Sequence, residues 1–145
     1  MAQGDFRTAR TRFEEALTMS RELDDRRGVA IILANLGTLA NDQGDHASAR
    51  ALLEESLTIG REVGGWIVAY ALSYLGKLAH DRGDRQVAQT LLQEGLAIAR
   101  KEGSWFAICA SLNGLAAVAQ SRGEHDSALA LCKEALAGTK CELSS

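Results

Sequence analysis

The sequence contains no proline, and this absence is the most informative feature of its composition. Proline lacks a backbone N–H donor and clashes with the preceding helical turn, so a chain without it can be helical almost throughout. Aromatic residues are also scarce, at 5%, whereas the strong helix formers alanine, leucine, glutamate and arginine recur along the chain. These features predict an all-α protein.

The sequence also lacks a long hydrophobic run and an excess of basic charge. Its longest nearly apolar stretch, residues 28–34, is far shorter than the roughly 18 residues that a membrane span needs. Residues 1–10 have no apolar segment of the secretory type. The formal net charge is -3 with both signs interspersed, whereas a nucleic-acid surface needs clustered basic residues. We therefore expect a cytoplasmic protein with neither a membrane nor a direct nucleic-acid partner.

Cysteine is limited to three residues at unmatched spacings. We interpret Cys109 and Cys132 as small buried hydrophobic residues in a reducing compartment. Cys141 lies in a C-terminal tail that we expect to fray, where it would be a free thiol.

Catalytic signatures are missing as well: the sequence has no Walker loop, no nucleophile elbow, no HExxH, no CxxC and no dinucleotide fingerprint. His46 and His125 share a repeat position that Phe6 and Arg85 also fill, so a metal role there is disfavoured. His80 has no second ligand at metal spacing. We expect no enzyme activity, no cofactor and no metal site.

What the sequence does contain is a fourfold internal repeat. Glycine followed by an acidic residue recurs at steps of 40, 39 and 40, in the pairs Gly4-Asp5, Gly44-Asp45, Gly83-Asp84 and Gly123-Glu124. Each pair precedes a similar stretch, such as ARALLEESLTIGREV or AQTLLQEGLAIARKE. The glycine can end one helix in the left-handed conformation, and the acid can cap the next. The period therefore predicts two helices per repeat.

Apolar residues at helical spacing mark both helices of each repeat. The first helix carries Val29, Leu33, Leu36, Gly37 and Ala40, and the next two copies keep this stripe. Small residues recur at fixed places in both helices: Gly37, Gly76 and Ala116 in the first, and Ala9, Ala49, Ala88 and Ala128 in the second. They predict close helix packing, at roughly 8 Å between axes.

These residues resemble the tetratricopeptide repeat (TPR), whose pattern appears as Leu33, Leu36-Gly37 and Ala40, and later as Ala88, Leu92 and Gly95. The period is longer than the family's usual length of about 34 residues, and the proline that commonly ends a repeat is missing. Longer helices account for both departures. The phrases LTMSRELDDRRGVAIILANLGTLANDQGD and LTIGREVGGWIVAYALSYLGKLAHDRGD are similar to long-period arrays of bacterial LuxR/MalT/AfsR-like transcriptional regulators. The resemblance implies a right-handed αα-solenoid of stacked antiparallel hairpins with about seven helices.

The repeat pattern predicts one domain over residues 1–145. It divides into a half repeat at residues 4–24 and repeats at about 26–63, 65–102 and 104–138. The first segment matches a second helix without its partner, and Leu129, Cys132 and Leu136 have no following repeat to cover them. Exposed apolar ends are a liability in stacked repeats. We expect a fragment of a longer array; the alternative is a self-contained protein that self-associates through its unpaired terminal helices.

The resemblance further implies that the first helices line a concave groove that binds a protein or peptide partner. The groove residues expected on this basis are Thr38, Asn41, Asp42, Tyr70, Ser73, Lys77, His80, Asn113 and Gln120. The alternative is an ordinary solvated face. Trp66 and Trp105, which precede first helices, are expected to pack between hairpins or to stack on a ligand. The expected function is a non-enzymatic protein–protein interaction scaffold in a bacterial regulator, or else a small-molecule inducer-sensing arm.

Overall fold

The computed structural model describes the backbone of residues 3–144 and the side chains of residues 4–138. Over that range the chain forms seven α-helices and no strand. They are α1 (Gln3–Glu22), α2 (Arg26–Asp42), α3 (His46–Val63), α4 (Ile67–Asp81), α5 (Arg85–Glu102), α6 (Trp105–Ser121) and α7 (His125–Ser144). The all-α solenoid predicted from the repeat is confirmed. None of the described helices is both long and apolar enough to cross a membrane.

The helices pack as hairpins joined by short turns. The pairs α2–α3, α4–α5 and α6–α7 form the hairpins. Helix α1 packs on α2 in the same way that α3 packs on α4 and α5 packs on α6. The first helices also touch one another, α2 against α4 and α4 against α6. They therefore form a continuous layer, which the second helices α1, α3, α5 and α7 support.

The glycine–acid turns have the predicted conformation at the internal junctions. Gly44 and Gly83 have φ angles of 82° and 85°, which glycine adopts without the steric cost of a Cβ atom. The following carboxylates cap the next helix: Asp45 accepts a hydrogen bond from the Ser48 amide at 3.2 Å, and Asp84 accepts one from the Val87 amide at 3.4 Å. The pair at Gly4 differs, because α1 begins at Gln3 and this glycine already lies within the helix.

Small residues bring the two helices of each hairpin close together. A Cβ atom on Gly76 would lie 2.7 Å from Cγ of Leu92 and 3.3 Å from the carbonyl oxygen of Ala88. On Gly37 it would lie 2.8 Å from Cγ of Leu53. The distances to the two leucine Cγ atoms are shorter than real Cβ contacts, so a larger residue at Gly37 or Gly76 would force the facing leucine to shift.

The tryptophans agree with the expected packing between hairpins, whereas the cysteines partly depart from expectation. Trp105 lies against Gly138 of α7 and packs against a core cluster with members on α4, α5, α6 and α7. Cys109 is half-buried, but Cys132 is exposed, which corrects the prediction of a buried residue. The reason is that no helix covers that side of α7 in the described part of the chain. The side chain of Cys141 lies outside the described residues.

Candidate functional site

The layer formed by α2, α4 and α6 presents one side to solvent, which we call the first-helix face. It consists of the accessible side chains Asn35, Thr38, Asn41, Asp42, Tyr74, Lys77, Asp81, Phe106 and Asn113. Contacts between side chains of neighbouring helices hold this face together. Its aromatic end lies near the start of the helices and its polar end near their C-termini.

The aromatic end is a cluster of four rings, with Tyr70 at its centre. The Phe106 ring stacks on the Tyr70 ring with centroids 5.5 Å apart and planes inclined by 21°. Trp66 meets both rings edge-on, at 5.8 Å from Tyr70 and 6.2 Å from Phe106. Tyr74 contacts Tyr70 from one helical turn further along, at 4.7 Å. Such offset and edge-to-face contacts stabilise aromatic pairs beyond the burial of area.

Tyr70 is the buried centre of this cluster, with 5% of its surface exposed. Its hydroxyl donates a hydrogen bond to Oδ1 of Asn35 on α2 at 2.8 Å. Burial, together with the neighbouring Tyr74, raises the pKa of the Tyr70 phenol above its usual range. The hydroxyl therefore stays protonated and remains a donor. The expectation that Tyr70 lines an open groove needs correction, since Phe106 covers its ring.

Ser73 is also buried, at 3% exposure, although it was predicted in the groove. Its hydroxyl lies 2.7 Å from the hydroxyl of Ser111 on α6 and 2.9 Å from the carbonyl oxygen of Ala69. Because two small side chains meet there, α4 and α6 approach closely. Ser73 therefore joins the two helices and lies beneath the exposed surface of the face.

The polar end contains a relay of hydrogen bonds that starts from Asn41. Its Nδ2 donates to Oδ2 of Asp81 on α4 at 2.8 Å, so its Oδ1 is left to accept from Nδ1 of His46 at the same distance. This assignment requires the His46 tautomer with its hydrogen on Nδ1. Asn41 thus ties the ends of α2, α3 and α4 together.

The remaining predicted groove residues differ in exposure. Lys77 lies three residues after Tyr74, and Asn113 lies seven residues after Phe106; both are exposed. Helical spacing therefore places them on the same side of their helices, one to two turns beyond the aromatic residues towards the C-termini. Asp42 and Gln120 are exposed at the polar end, and Thr38 is half-buried with its hydroxyl bonded to the carbonyl oxygen of Ala34 at 3.1 Å. His80 is half-buried, and its Nδ1 has no hydrogen-bond partner among the described residues.

Phe106 is the functional candidate that the sequence reasoning missed. A signal was available: Trp66 lies ten residues before Gly76, and Phe106 lies ten residues before Ala116, its repeat equivalent. The residue that corresponds to Trp66 in the next repeat is therefore Phe106 and not Trp105. Pairing the two tryptophans by residue type concealed this correspondence.

A concave region lined by residues of α3, α4 and α5 has a volume of about 620 Å³. Its apolar lining is Leu57, Leu75, Leu78, Ala79, Val87 and Leu91, and its charged lining is Arg50, Glu54, Arg82 and Asp84. Ion pairs join the second helices on either side, Arg21–Glu55 at 3.6 Å and Arg100–Glu134 at 2.6 Å. The charged side chains of the concave region are of both signs.

The described residues hold no group of His, Cys, Asp or Glu side chains that could bind a metal ion. The first-helix face offers exposed ring surface, one lysine, carboxamides and carboxylates. These groups suit a peptide segment or a small polar molecule.

Comparison with known proteins agrees with the repeat architecture. In the crystal structure of BtubC (BKLC) from P. vanneervenii, a chain matches 98% of the present one with a TM-score of 0.72 and 22% sequence identity. The present chain spans 59% of the length of that chain, and at this identity the likeness shows the fold alone. No curated protein matches the sequence. The family model for the MalT-like TPR region matches residues 1–141, and the chain therefore belongs to the MalT-like TPR family.

Proposed function

We propose that this chain is a non-enzymatic interaction module that binds a segment of a partner protein on the first-helix face. The observation that supports this proposal most directly is Phe106, whose side chain is 60% exposed although it is fixed by ring contacts on both neighbouring aromatics. In this proposal the module is part of a bacterial signalling or transcriptional regulator and works in the cytoplasm. Its membership of the MalT-like TPR family supports that setting.

A fixed and exposed aromatic ring is an efficient anchor for a partner. Burial of its apolar surface by a partner favours binding by about 25 cal/mol per Å². Little side-chain entropy is lost on binding, because the ring is already held in place. Aromatic residues are accordingly enriched among the residues that dominate binding energy. Tyr70 and Trp66 serve as the support that holds the Phe106 ring in place.

The polar groups further along the first-helix face fit the backbone of a peptide segment. The Asn113 carboxamide offers both a donor and an acceptor, which matches one peptide unit. Lys77 offers three N–H donors to carbonyl or carboxylate oxygens. A segment with an apolar side chain over Phe106 and its backbone across Asn113 and Lys77 would use both kinds of group.

A small-molecule inducer is the alternative ligand, and the free side of the Phe106 ring favours it as a stacking surface. In that case the chain is the sensing arm of a MalT-like regulator. Planar or sugar-like ligands stack on such rings while carboxamides orient them.

The test is a selection of displayed linear peptides on the intact chain, repeated on a double variant with Phe106→Ala and Lys77→Ala. We expect enriched peptides that bind the parent chain saturably and the double variant at least tenfold more weakly. A matched control carries Val87→Ala and Lys101→Ala, which remove an exposed apolar side chain and a cation from α5. Peptides that bind the double variant as well as the parent would refute the proposed surface. A thermal shift by a small ligand that Phe106→Ala abolishes, without peptide enrichment, would favour the inducer-sensing arm.

A further inference from the structure

The concave region lined by α3, α4 and α5, which we call the middle groove, lies inside the array. Helices α1 and α2 precede it and α6 and α7 follow it, so both of its walls have their neighbouring repeats in place. Its floor is more accessible than the same position in the other repeats: Ala79 is half-buried, whereas its equivalents Ala40 and Ala119 are 5% and 7% exposed. The opening is therefore a local property of this junction.

The mouth of the middle groove lacks a contact that the preceding junction has. There, Nη2 of Arg10 on α1 donates a hydrogen bond to Oε1 of Gln43, just after α2, at 2.5 Å. The bond joins a second helix to the end of the next first helix. At the same repeat positions the middle groove has Arg50 and Arg82. Two guanidinium groups are donors only and carry like charges, so this pair cannot form the closing bond.

The carboxylates at the middle groove are engaged, whereas one of its cations is not. Glu54 accepts a hydrogen bond from Nε of Arg50, one helical turn away, at 2.9 Å. Asp84 accepts one from the Val87 amide and caps α5. The guanidinium of Arg82 is exposed and has no hydrogen bond or ion pair among the described residues. The donors of Arg82 and the remaining N–H groups of Arg50 are thus available to an anion, which they bind more strongly than a neutral acceptor.

The rest of the lining narrows the chemistry of the ligand. Its wall and floor residues Leu57, Leu75 and Leu91 are half-buried, so each presents part of an apolar side chain to the groove. Among the described residues that line it, none has an uncharged polar side chain that could pair with a peptide backbone. The volume of about 620 Å³ lies in the range of small-molecule sites. These features favour a small ligand with an apolar body and one anionic group.

We propose that the middle groove binds an aliphatic carboxylate, a fatty-acid-like molecule taken up singly from solution. Its chain lies between Leu57 and Leu91, where burial removes apolar surface from water. Its carboxylate pairs with the guanidinium of Arg82 at the mouth, in the bidentate geometry that arginine allows. The middle groove shares no residue with the first-helix face, so this ligand does not compete with a partner bound over Phe106.

The probe is decanoate, titrated calorimetrically into the intact chain below the concentration at which it forms micelles. We expect saturable binding, weakened at least tenfold by Arg82→Gln. This variant removes the free cation and reproduces the Arg10–Gln43 pair of the preceding junction, so Arg50 can close the mouth. The matched control is Arg122→Gln, because Arg122 is the exposed residue at the same repeat position in the next junction, and it should leave binding unchanged. Decanol, which has the same chain without the charge, should bind at least tenfold more weakly than decanoate.

Circular dichroism and thermal melting establish that both variants are folded, as the exposure of the two arginines leads us to expect. Failure of decanoate to bind, or equal binding to the parent and to Arg82→Gln, overturns the proposal. An equal loss in Arg122→Gln overturns it as well, since it would reveal a general effect of net charge. Binding that Phe106→Ala abolishes and Arg82→Gln spares would place the ligand on the first-helix face instead. Arg82-dependent sedimentation with phosphatidylglycerol vesicles, without binding of decanoate, would assign the groove to a membrane surface and likewise overturn the proposal.

Discussion

Helices α5 and α7 have nearly the same stripe and opposite surroundings. Leu92 is enclosed between the first helix of its own hairpin and that of the next, whereas Cys132 at the same repeat position is exposed. Leu96 and Leu136 show the same contrast with identical residues. The comparison teaches that the sequence of a second helix specifies a packing surface, while the next helix in the stack decides whether that surface is buried.

The largest loss of stability is expected from a large-to-small substitution at the enclosed position 92. Leu92→Ala should lower the free energy of unfolding by about 2–5 kcal/mol, since it removes buried apolar surface and leaves a cavity between α4, α5 and α6. Urea denaturation followed by circular dichroism measures the change. A loss of under about 1 kcal/mol would mean that α6 does not cover α5 as described.

A larger side chain at position 88 tests the close packing of α5 on α4. Ala88→Leu should cost about 1–3 kcal/mol, because Ala88 is fully buried and lies against the backbone of Gly76. Ala128→Leu, its counterpart on α7, should also destabilise the fold, because Ala128 is buried and its repeat position faces α6 of its own hairpin. Equal midpoints for Ala88→Leu and the parent in thermal melts would refute the close packing.

The helix starts allow a smaller comparison. Asp84 caps α5, and its replacement by alanine should cost about 1 kcal/mol. Glu124 precedes α7, and glutamate is not among the preferred capping residues, so Glu124→Ala should change stability little. Denaturant titration of both variants provides the measurement. A larger loss from Glu124→Ala than from Asp84→Ala would contradict the assigned roles.

The cap of α3 adds a pH dependence. Hydrogen bonds from Ser48 lower the pKa of Asp45 below its usual value of 3.8. The charged cap therefore stabilises the fold above pH 3.8, and this contribution is lost as the pH falls through the lowered pKa. Asp45→Asn keeps an acceptor without the charge, so the difference in melting temperature between parent and variant should shrink below pH 3.8. A difference that stays constant from pH 7 to pH 3 would show that the carboxylate charge does not contribute.

The smallest effect is expected at the exposed end of the stack. Leu136→Ala should change the free energy of unfolding by less than about 0.5 kcal/mol, as is usual for surface substitutions. Its comparison with Leu92→Ala in the same denaturant series tests the central contrast directly. Comparable losses of unfolding free energy in the two variants would mean that Leu136 is covered in solution, either by a second copy or by another part of the same chain.

The repeat made the fold predictable, and the groove was predictable only in part. A step of about 40 residues with a glycine–acid turn specifies the hairpins, because turn chemistry and helical periodicity are local properties of the chain. The exposed positions of Asp42, Lys77, Asn113 and Gln120 follow from periodicity as well. Whether these residues bind a partner remains a proposal.

Tyr70, Ser73 and Phe106 show where sequence reasoning reached its limit. The first two share a helical side with Lys77, yet α6 buries them, through the Phe106 ring and the Ser111 hydroxyl respectively. Their burial depends on residues almost 40 positions away, which periodicity within α4 cannot reveal. Phe106 became visible as a candidate only when its ring was found over Tyr70.

The helices, the left-handed glycine turns, the carboxylate caps and the apolar stripe of each helix follow from the amino-acid pattern alone. These features arise from interactions between residues that are close in the chain. Which stripes are covered, which aromatic rings remain exposed and the exposure of Cys132 emerge from the packing of the repeats. Burial is a property of contacts between repeats, and repeats with the same local pattern have different neighbours.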